Sequence, residues 1–586
     1  MTSISALRLA LVQNQLDHIA QIMGSVMERT ARSTIFSESH DFSCFLTDDQ
    51  SNLLSLADGL PIHSGGGQMV VAALLRDFAN EISGGDLFIA SDPYDAGNNH
   101  LPDWTMIRPV FVDDELVAFA CNRAHQSDIG GGAAGTYNPT ATEIFHEGIR
   151  LPVLKLVDKG AVRQDVWKLL TLNSRCPDLL DGDLRAMVGS TEVGVREFTK
   201  LIAEHGLDEA RACFAAMLDY SEQQMRAALS ALPYGTYEGE DVSFTDCFNR
   251  TEVRVHVKLQ HDNDGLKIDF TGSSPQIKGF KNSSLANTYS AAYMAVLSFL
   301  KGDVIRNQGA FRPIRIEAPE GTIVNARYPA AMTMNTSHPA WEIIHAVWKA
   351  LGKARPDWAC AGWGKTVHCI SSGQQPDNGE RFIMYHWHGF PGAGATSERD
   401  GFHTLGGINT LGGLKLPNVE SYERLYPVHF YQYEIRKDTA GPGERRGGSG
   451  VIYSADVGVP SEYSFRGEGL DLPTGFGVNG GREGAAGAIT MEVDGETLKD
   501  LPDYGLLHLP PLRIEILSPA GGGWGDPLSR DPIAVQEDVL NEIITEDHAR
   551  EVYGVVISAT TGEIDQLQTK RIRAERLDQT AGAADR

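Results

Sequence analysis

Long apolar runs are missing from this chain: none of its 586 residues lies in a stretch approaching the roughly 18 uninterrupted apolar positions of a membrane span. Membrane integration is therefore not expected. The opening Met-Thr-Ser-Ile-Ser-Ala-Leu-Arg-Leu-Ala has none of the basic, apolar and small-residue regions of a secretory signal, which points to a cytoplasmic address. Cysteine is sparse. The seven residues (Cys44, Cys121, Cys176, Cys213, Cys247, Cys360, Cys369) are odd in number, widely spaced and without a C-x-x-C pair. That pattern argues against a disulfide framework or a thiolate zinc knuckle and leaves most of them expected reduced and buried. Basic clusters are missing too. No Lys/Arg run is interleaved with aromatics, and a net charge of −26 repels phosphate backbones, so nucleic acid is a poor partner. The acidic surplus identifies no substrate, because a solvated acidic face explains it.

What is present is the composition of a globular protein, with 42% apolar and 22% charged residues. The length exceeds what one hydrophobic core usually supports, so two or three units sharing a body are expected. Leu9, Val12, Leu16, Ile19, Met23 and Val26 recur at spacings of three and four, which predicts a helix from about Ser5 to Met27. Residues 41–46 and 53–62 read as strands between tight turns, and 69–82 as an apolar helix. Three strand-like runs follow, at 86–90, 106–112 and 116–121, bracketing loops rich in Asp, Gly, Asn and Pro. Helical composition covers 166–232, β-type alternation 237–270, and a further helix about 289–300. Residues 382–450 are rich in Gly and aromatics, 489–517 again read as strands, and the tail after Pro532 is helical with a frayed end over 580–586. The sum is a mixed α/β (α+β) fold, a large body of β-rich segments and packed helices with its chemistry on loops between strands. Its expected units are residues 1–235, an α/β unit carrying the site; 236–380, a central α/β unit; and 381–586, a β-rich unit with a helical tail.

The chemistry concentrates in two segments. In Ser91-Asp-Pro-Tyr-Asp-Ala-Gly-Asn-Asn-His-Leu-Pro-Asp-Trp104, His100 and Asp103 sit three apart across a Leu-Pro pair, so imidazole and carboxylate can converge from one turn. In Asn122-Arg-Ala-His-Gln-Ser-Asp-Ile-Gly-Gly-Gly132, His125 and Asp128 repeat that spacing. Two strands joined at Asp113-Asp-Glu115 would bring the segments side by side, and two imidazoles with carboxylate oxygens suit zinc, manganese or iron. A single H-x-x-D is compatible with a plain hydrogen-bonded loop pair. Two copies flanking one hairpin, among glycines that permit close approach, favour a metal. Gly130-Gly-Gly132 either cradles an anion or turns the chain.

With Asp92-Pro-Tyr94, Glu147-Gly-Ile-Arg-Leu-Pro152, Asp41-Phe-Ser-Cys44, Asp269-Phe-Thr-Gly272, Pro319-Glu-Gly-Thr-Ile-Val-Asn325, Gly441-Pro-Gly-Glu-Arg-Arg-Gly-Gly448 and Gly521-Gly-Gly-Trp-Gly-Asp-Pro527, these segments resemble the hydantoinase B / 5-oxoprolinase family along essentially the whole chain. The resemblance implies a divalent ion (Zn, Mn, Fe or Co) held by His100, Asp103 and His125, with Asp41 a fourth ligand from the N-terminal strand. Asp128 is then expected behind the ligands, orienting His125 or taking a proton from water. The resemblance also implies that ATP is consumed by a separate hydantoinase A-type subunit, in a heterotetramer of two of each. That partner would phosphorylate a small cyclic amide, such as a hydantoin, 5-oxoproline or a lactam, for ring opening on this chain.

Glu38-Ser-His-Asp41 departs from the family pattern of Glu-Arg before the Asp region, and His40 reads either as an extra polar group near the site or as a surface side chain. His63 and His338 either approach the substrate or are satisfied structural residues, and His386 and His388 have no assignment. Residues 445–450 and 521–523 lack the G-x-x-x-x-G-K-[ST] arrangement of a nucleotide loop and read as tight turns. Two competing functions remain: a subunit of an ATP-dependent ketone carboxylase, which would require bicarbonate, and a non-catalytic assembly scaffold, which would bind no stoichiometric metal.

Overall fold

The first apolar stripe folds as its spacing predicts. In the computed structural model, which describes residues 4–365, 367–470, 472–558 and 561–584, a helix spans Ala6–Thr30 and buries Val12, Leu16, Ile19, Met23 and Met27. Ser5 caps it, its hydroxyl accepting the Arg8 N–H at 3.3 Å. The stripe packs on the long helix Pro177–His205 and on the sheet beneath. Gly194 lets the two helices close: a Cβ there would stand 2.5 Å from the sulfur of Met23.

That sheet has seven antiparallel strands, β1 (Phe42–Asp48), β2 (Leu53–Gly59), β3 (Leu87–Ala90), β4 (Asp103–Val112), β5 (Glu115–His125), β6 (Leu154–Asp158) and β7 (Ala161–Val162), in the order β2-β1-β5-β4-β3-β6-β7. The β4–β5 hairpin turns on Asp113 and Asp114, both with positive φ (49° and 66°), as a tight two-residue connection requires. Its register pairs Asp103 with His125, and β1 lies on the other side of β5 with Phe42 opposite Ala124. Both strands run further than their apolar runs suggest, because Thr105, Asn122 and Arg123 are buried polar residues that hydrogen-bond inside the structure. Asp103 and His125 are accordingly strand-terminal residues, and only His100 lies on a loop.

A second sheet follows, with β8 (Gly235–Thr245), β9 (Arg250–Asp262) and β10 (Gly265–Asp269) as an antiparallel meander and β11 (Ile314–Glu317) parallel to β10. The helices Leu285–Phe299 and Ala340–Ala354 pack on each other, and the second lies on β8 and β9. Ala340–Ala354 is buried on most of its sides, and its polar residues Glu342, His345, Lys349 and Lys353 recur at spacings of three and four along one face. Towards the C-terminus a four-stranded sheet (Arg381–Tyr385, Val367–Gln374, Ser461–Gly467, Tyr504–Leu509, in that spatial order) lies beside a five-stranded one built on Val451–Val457 and Leu512–Leu517. The tail forms the helices Pro532–Leu540, Glu546–Glu551 and Gln566–Ala584, the first two contributing to a small core of its own. The frayed end expected over 580–586 is helical backbone as far as Ala584, and its last two residues lie outside the described range. No described helix is long and apolar enough to cross a membrane. All seven cysteines are free thiols, six of them buried.

The glycine-rich segments are not the tight turns expected. Residues 441–450 and 519–525 lie against 361–364, 390–396 and 474–485 and exchange main-chain hydrogen bonds, among them Gly441 N–H to Gly521 O (2.9 Å), Gly521 N–H to Gly448 O (2.9 Å) and Gly522 N–H to Gly362 O (2.8 Å). Backbone packs on backbone with no room for side chains: a Cβ at Gly447 would stand 2.0 Å from Gly521 O, and one at Gly521 2.0 Å from Ala393 O. Because the obstructing atoms belong to main chain, neighbours cannot swing aside. Gly447→Val is therefore expected to cost about 3 kcal/mol or more. Chemical denaturation of purified protein would measure it, and a loss under about 1 kcal/mol would contradict this packing.

Candidate metal centre

Three strand ends and one loop build the centre. His125 closes β5 and its N–H donates to the Asp41 carbonyl at 3.1 Å, which brings Asp41 alongside at the entry to β1. Asp103 opens β4 opposite His125, and the Pro-containing loop before it returns His100 over the strand end. The His100 Nε2, Asp103 and His125 donor atoms lie within 4.8 Å of one another, and all three side chains are buried. His100 Nε2 is 2.8 Å and His125 Nδ1 3.1 Å from the same oxygen, Asp103 Oδ1. Asp41 is close by through His63, whose Nε2 is 3.5 Å from Asp41 Oδ1 and 3.3 Å from Asp103 Oδ2.

This donor set fits a divalent ion. His100 Nδ1 faces the Thr333 carbonyl at 2.6 Å, so it carries the ring proton and leaves the Nε2 lone pair directed at the cluster. Nε2 is buried and has no hydrogen-bond partner despite its nearness to Asp103, the situation of a ligand atom. His125 Nε2 faces the hydroxyls of Thr136 (3.1 Å) and Tyr385 (3.3 Å), which leaves Nδ1 for the cluster. Two nitrogens and carboxylate oxygen suit zinc, manganese, iron or cobalt alike.

The surrounding polar groups fix these side chains. Asn99 Nδ2 donates to Asp103 Oδ2 at 2.5 Å while its Oδ1 accepts the His100 N–H at 3.1 Å. Asn98 bonds the Asp103 carbonyl (2.7 Å) and accepts from Arg123 (3.0 Å), whose guanidinium also donates to Thr105 (2.8 Å) and to the His63 carbonyl (2.6 Å). Burial lowers the Arg123 pKa to about 10, still charged at neutrality, so a cation sits behind the acidic cluster. Burial works against the charge on Asp103, but His100 and His63 outweigh it and hold the carboxyl well below its usual range. His100 is opposed by burial in the same way, yet Asp103 and the Thr333 carbonyl raise its pKa. Burial lifts Asp41 to about 6 and drops His63 to about 4.

Asp128 is elsewhere engaged, which corrects the expected link to His125. Its carboxylate accepts the Arg175 N–H at 2.6 Å and the Arg175 guanidinium at 3.0 Å, tying down the turn before the helix Pro177–His205. His125 is oriented by Asp103, Thr136 and Tyr385 instead. Gly130 and Gly131 (φ 84° and 80°) turn the chain, and the space over Gly131 is filled by the Glu147 main chain. His40 is neither on the surface nor turned to the cluster: it is buried between Glu28 (3.6 Å) and Asp58 (3.5 Å). His386 is satisfied by Tyr453 and Ser371, and His388 is held through Nε2 by the Pro417 carbonyl. His338 pairs with Glu342 at 3.0 Å.

A narrow cavity of about 30 Å³ adjoins the cluster, lined by Asp41, His63, His125, Tyr137, Trp387 and Arg466 among others. Tyr137 stacks on His125 at 5.5 Å, and the Arg466 guanidinium lies 3.9 Å from the Tyr137 ring centre. That volume is enough for an ordered water. Asn99 stood next to His100 in the motif and could have been read from it. Tyr385 and Arg466 arrive from the C-terminal sheet with no local signal to mark them.

The model of the hydantoinase B/oxoprolinase family matches residues 5–527. The beta subunit of caprolactamase from Pseudomonas jessenii is 32% identical over 98% of this chain and 100% of its own length. The crystal structure of the ATP-dependent caprolactamase from that organism superposes with a TM-score of 0.90 at 31% identity, covering 98% of this chain and 100% of the other. The B-type component of a putative D-/L-hydantoinase of Pseudomonas sp. (strain NS671) is 30% identical over 98% of both chains. The nucleotide-free acetone carboxylase structure shares the fold, with a TM-score of 0.85 over 98% of this chain and 83% of the other, at 20% identity. Matched along nearly its whole length by sequence and by fold, the chain belongs to the hydantoinase B/oxoprolinase family.

Proposed function

We propose that this chain is the hydrolytic subunit of an ATP-dependent cyclic amide hydrolase, in which His100, Asp103 and His125, with Asp41 as fourth donor, hold a divalent ion. The observation that carries the reading is the convergence of three buried donors, each imidazole with its other nitrogen held by a hydrogen-bond partner, in a chain whose full-length relatives are named for caprolactamase and hydantoinase. A divalent ion there supplies Lewis acidity and brings the pKa of a water toward neutrality.

An amide is resonance-stabilised and resists attack until its carbonyl becomes a better electrophile. A hydantoinase A-type partner, in an assembly of two of each subunit, supplies that activation by transferring phosphate from ATP to the amide oxygen. Hydantoins, 5-oxoproline and lactams are the substrate class. On this chain, the buried Arg466 on the cavity wall is the cation we assign to the phosphate, and Tyr137 packs between it and His125. With Asp128 committed to Arg175, His63 is the group we assign to receive a proton from the attacking water, being uncharged at neutrality and within 3.5 Å of Asp41.

The fold shared with acetone carboxylase keeps a second reading in view, a carboxylase joining carbon dioxide to a phosphorylated enol. The deciding assay co-expresses the partner and follows ATP-dependent amino acid release from a panel of lactams and imides, with and without bicarbonate. Release independent of bicarbonate is expected, and turnover that needs bicarbonate would assign the carboxylase instead.

His100→Ala and His125→Ala in that complex should lower ring opening and metal affinity by more than about 100-fold, the upper range for groups that only support metal ligands. ATP hydrolysis by the partner should persist at least in part. Full metal content and turnover in both variants would overturn the proposal, and a wild-type complex without stoichiometric metal would leave the scaffold reading.

Metal binding should also depend on pH with a definite sign. The raised His100 pKa means that the metal-free protein gains stability from the charged His100–Asp103 pair at low pH and loses it as pH rises through that folded pKa. An ion must displace this proton, so affinity rises with pH and binding near neutrality releases protons. Calorimetric titrations in two buffers of different ionisation enthalpy count them. Zero proton release, with affinity flat from about pH 6 to 8, is the contrary result.

A further inference from the structure

Glu147 opens the segment Glu147-Gly-Ile-Arg-Leu-Pro152, and the chemistry above makes no use of it. Its carboxylate is fully buried and has no Lys or Arg partner among the described residues. A buried carboxylate is costly unless its oxygens are satisfied. Here main chain satisfies them: the Met332 N–H donates to both oxygens (3.0 and 2.9 Å) and the Thr333 N–H to Oε1 (2.7 Å). The Thr333 carbonyl is the group that accepts from His100 Nδ1 at 2.6 Å. The two segments are joined again where the Ile144 N–H donates to the Pro329 carbonyl at 2.8 Å. Gly131 admits the Glu147 backbone so closely that a Cβ there would stand 2.7 Å from the Glu147 carbonyl carbon.

We propose that Glu147 is a positioning residue of the metal centre: by clamping the Met332 and Thr333 amides it aims the Thr333 carbonyl at His100, and so selects the imidazole tautomer whose Nε2 is free for the ion. A metal-ligating histidine usually gives its other N–H to a carboxylate or a backbone carbonyl. Here the carbonyl does so directly and the carboxylate stands one residue behind, acting through the peptide. The inference rests on the metal reading above and deepens it. A glutamine in this place keeps one acceptor oxygen for the two amides but sets its NH₂ against the Met332 N–H, so the clamp is weakened without a change of volume.

The test uses the complex with its partner subunit, stripped of metal and titrated with Co²⁺ while the visible ligand-field spectrum is recorded. Glu147→Gln should bind Co²⁺ about 10- to 100-fold more weakly, with an altered spectrum. The melting temperature of the metal-free protein should stay within about 5 °C of wild type. Glu147→Asp keeps the charge and should recover part of the affinity. Wild-type affinity and spectrum in Glu147→Gln would overturn the inference. So would losses in both variants that track only the fall in metal-free melting temperature, since a plain structural brace predicts that. Should neither variant fold, the zinc-loaded wild type labelled with ¹⁵N-histidine decides: a protected, hydrogen-bonded His100 Nδ1–H is expected, and Nδ1 on the metal would refute the tautomer. A wild-type complex that takes up no stoichiometric Co²⁺ or Zn²⁺ would sink the metal reading itself, a different failure from a Glu147→Gln variant that binds normally.

Discussion

Antiparallel pairing at the end of three neighbouring strands is the constraint on which the centre depends. Asp103 faces His125 across the β4–β5 ladder, and the main chain of Asp41 bonds that of His125 across the β1–β5 ladder. Ladder spacing sets how far apart these backbones stand, and the pleat sets which face each side chain takes. A slip of one residue in the hairpin would turn Asp103 or His125 to the opposite face, so the tight turn at Asp113 and Asp114 governs chemistry at the other end of the strands.

Gathering three imidazoles and two carboxylates in a buried place carries a desolvation cost, and the fold offsets it by hydrogen bonding. Asn99 donates to the Asp103 carboxylate, Asn98 to the Asp103 carbonyl and Arg123 braces Asn98, while Thr333, Thr136 and Tyr385 hold the far sides of the two imidazoles. A second buried network runs beside it. Asp241 of β8 meets Lys365 at 2.9 Å, Lys365 meets Glu342 at 2.7 Å, and Glu342 meets His338, while Lys281 meets Glu468. Removing one member of such a chain strands a charge on the next. The network joins the central sheet, the helix Ala340–Ala354 and the C-terminal sheet, and His338 adjoins Thr336 and Ser337 on the wall of the cavity beside the cluster.

Much of the fold was legible wherever a pattern was local. The N-terminal helix, the three strands around the histidine motifs and the paired H-x-x-D spacings follow from periodicity and short range, and they led to His100, Asp103 and His125. Strand ends were misjudged where polar residues such as Asn122 and Arg123 continue a buried strand, since hydrophobicity cannot mark a residue that is buried by its hydrogen bonds. The glycine-rich stretches were misread for a related reason: a glycine needed for a turn and one needed for close packing look identical in sequence. Asp128 had the right spacing and the wrong partner, because Arg175 lies beyond the reach of a local argument.

The sequence by itself determined the family, the mixed α/β character and the three donors nearest the proposed ion, because each rests on residues close together along the chain or on an ordered series of motifs. Tertiary structure alone decided what surrounds them. It brought His63 between Asp41 and Asp103, Tyr385 and Arg466 from the C-terminal sheet, and Thr333 onto His100 with Glu147 behind it. Those contacts are set by how separate sheets and loops pack, a property of summed surfaces that no single stretch of residues encodes.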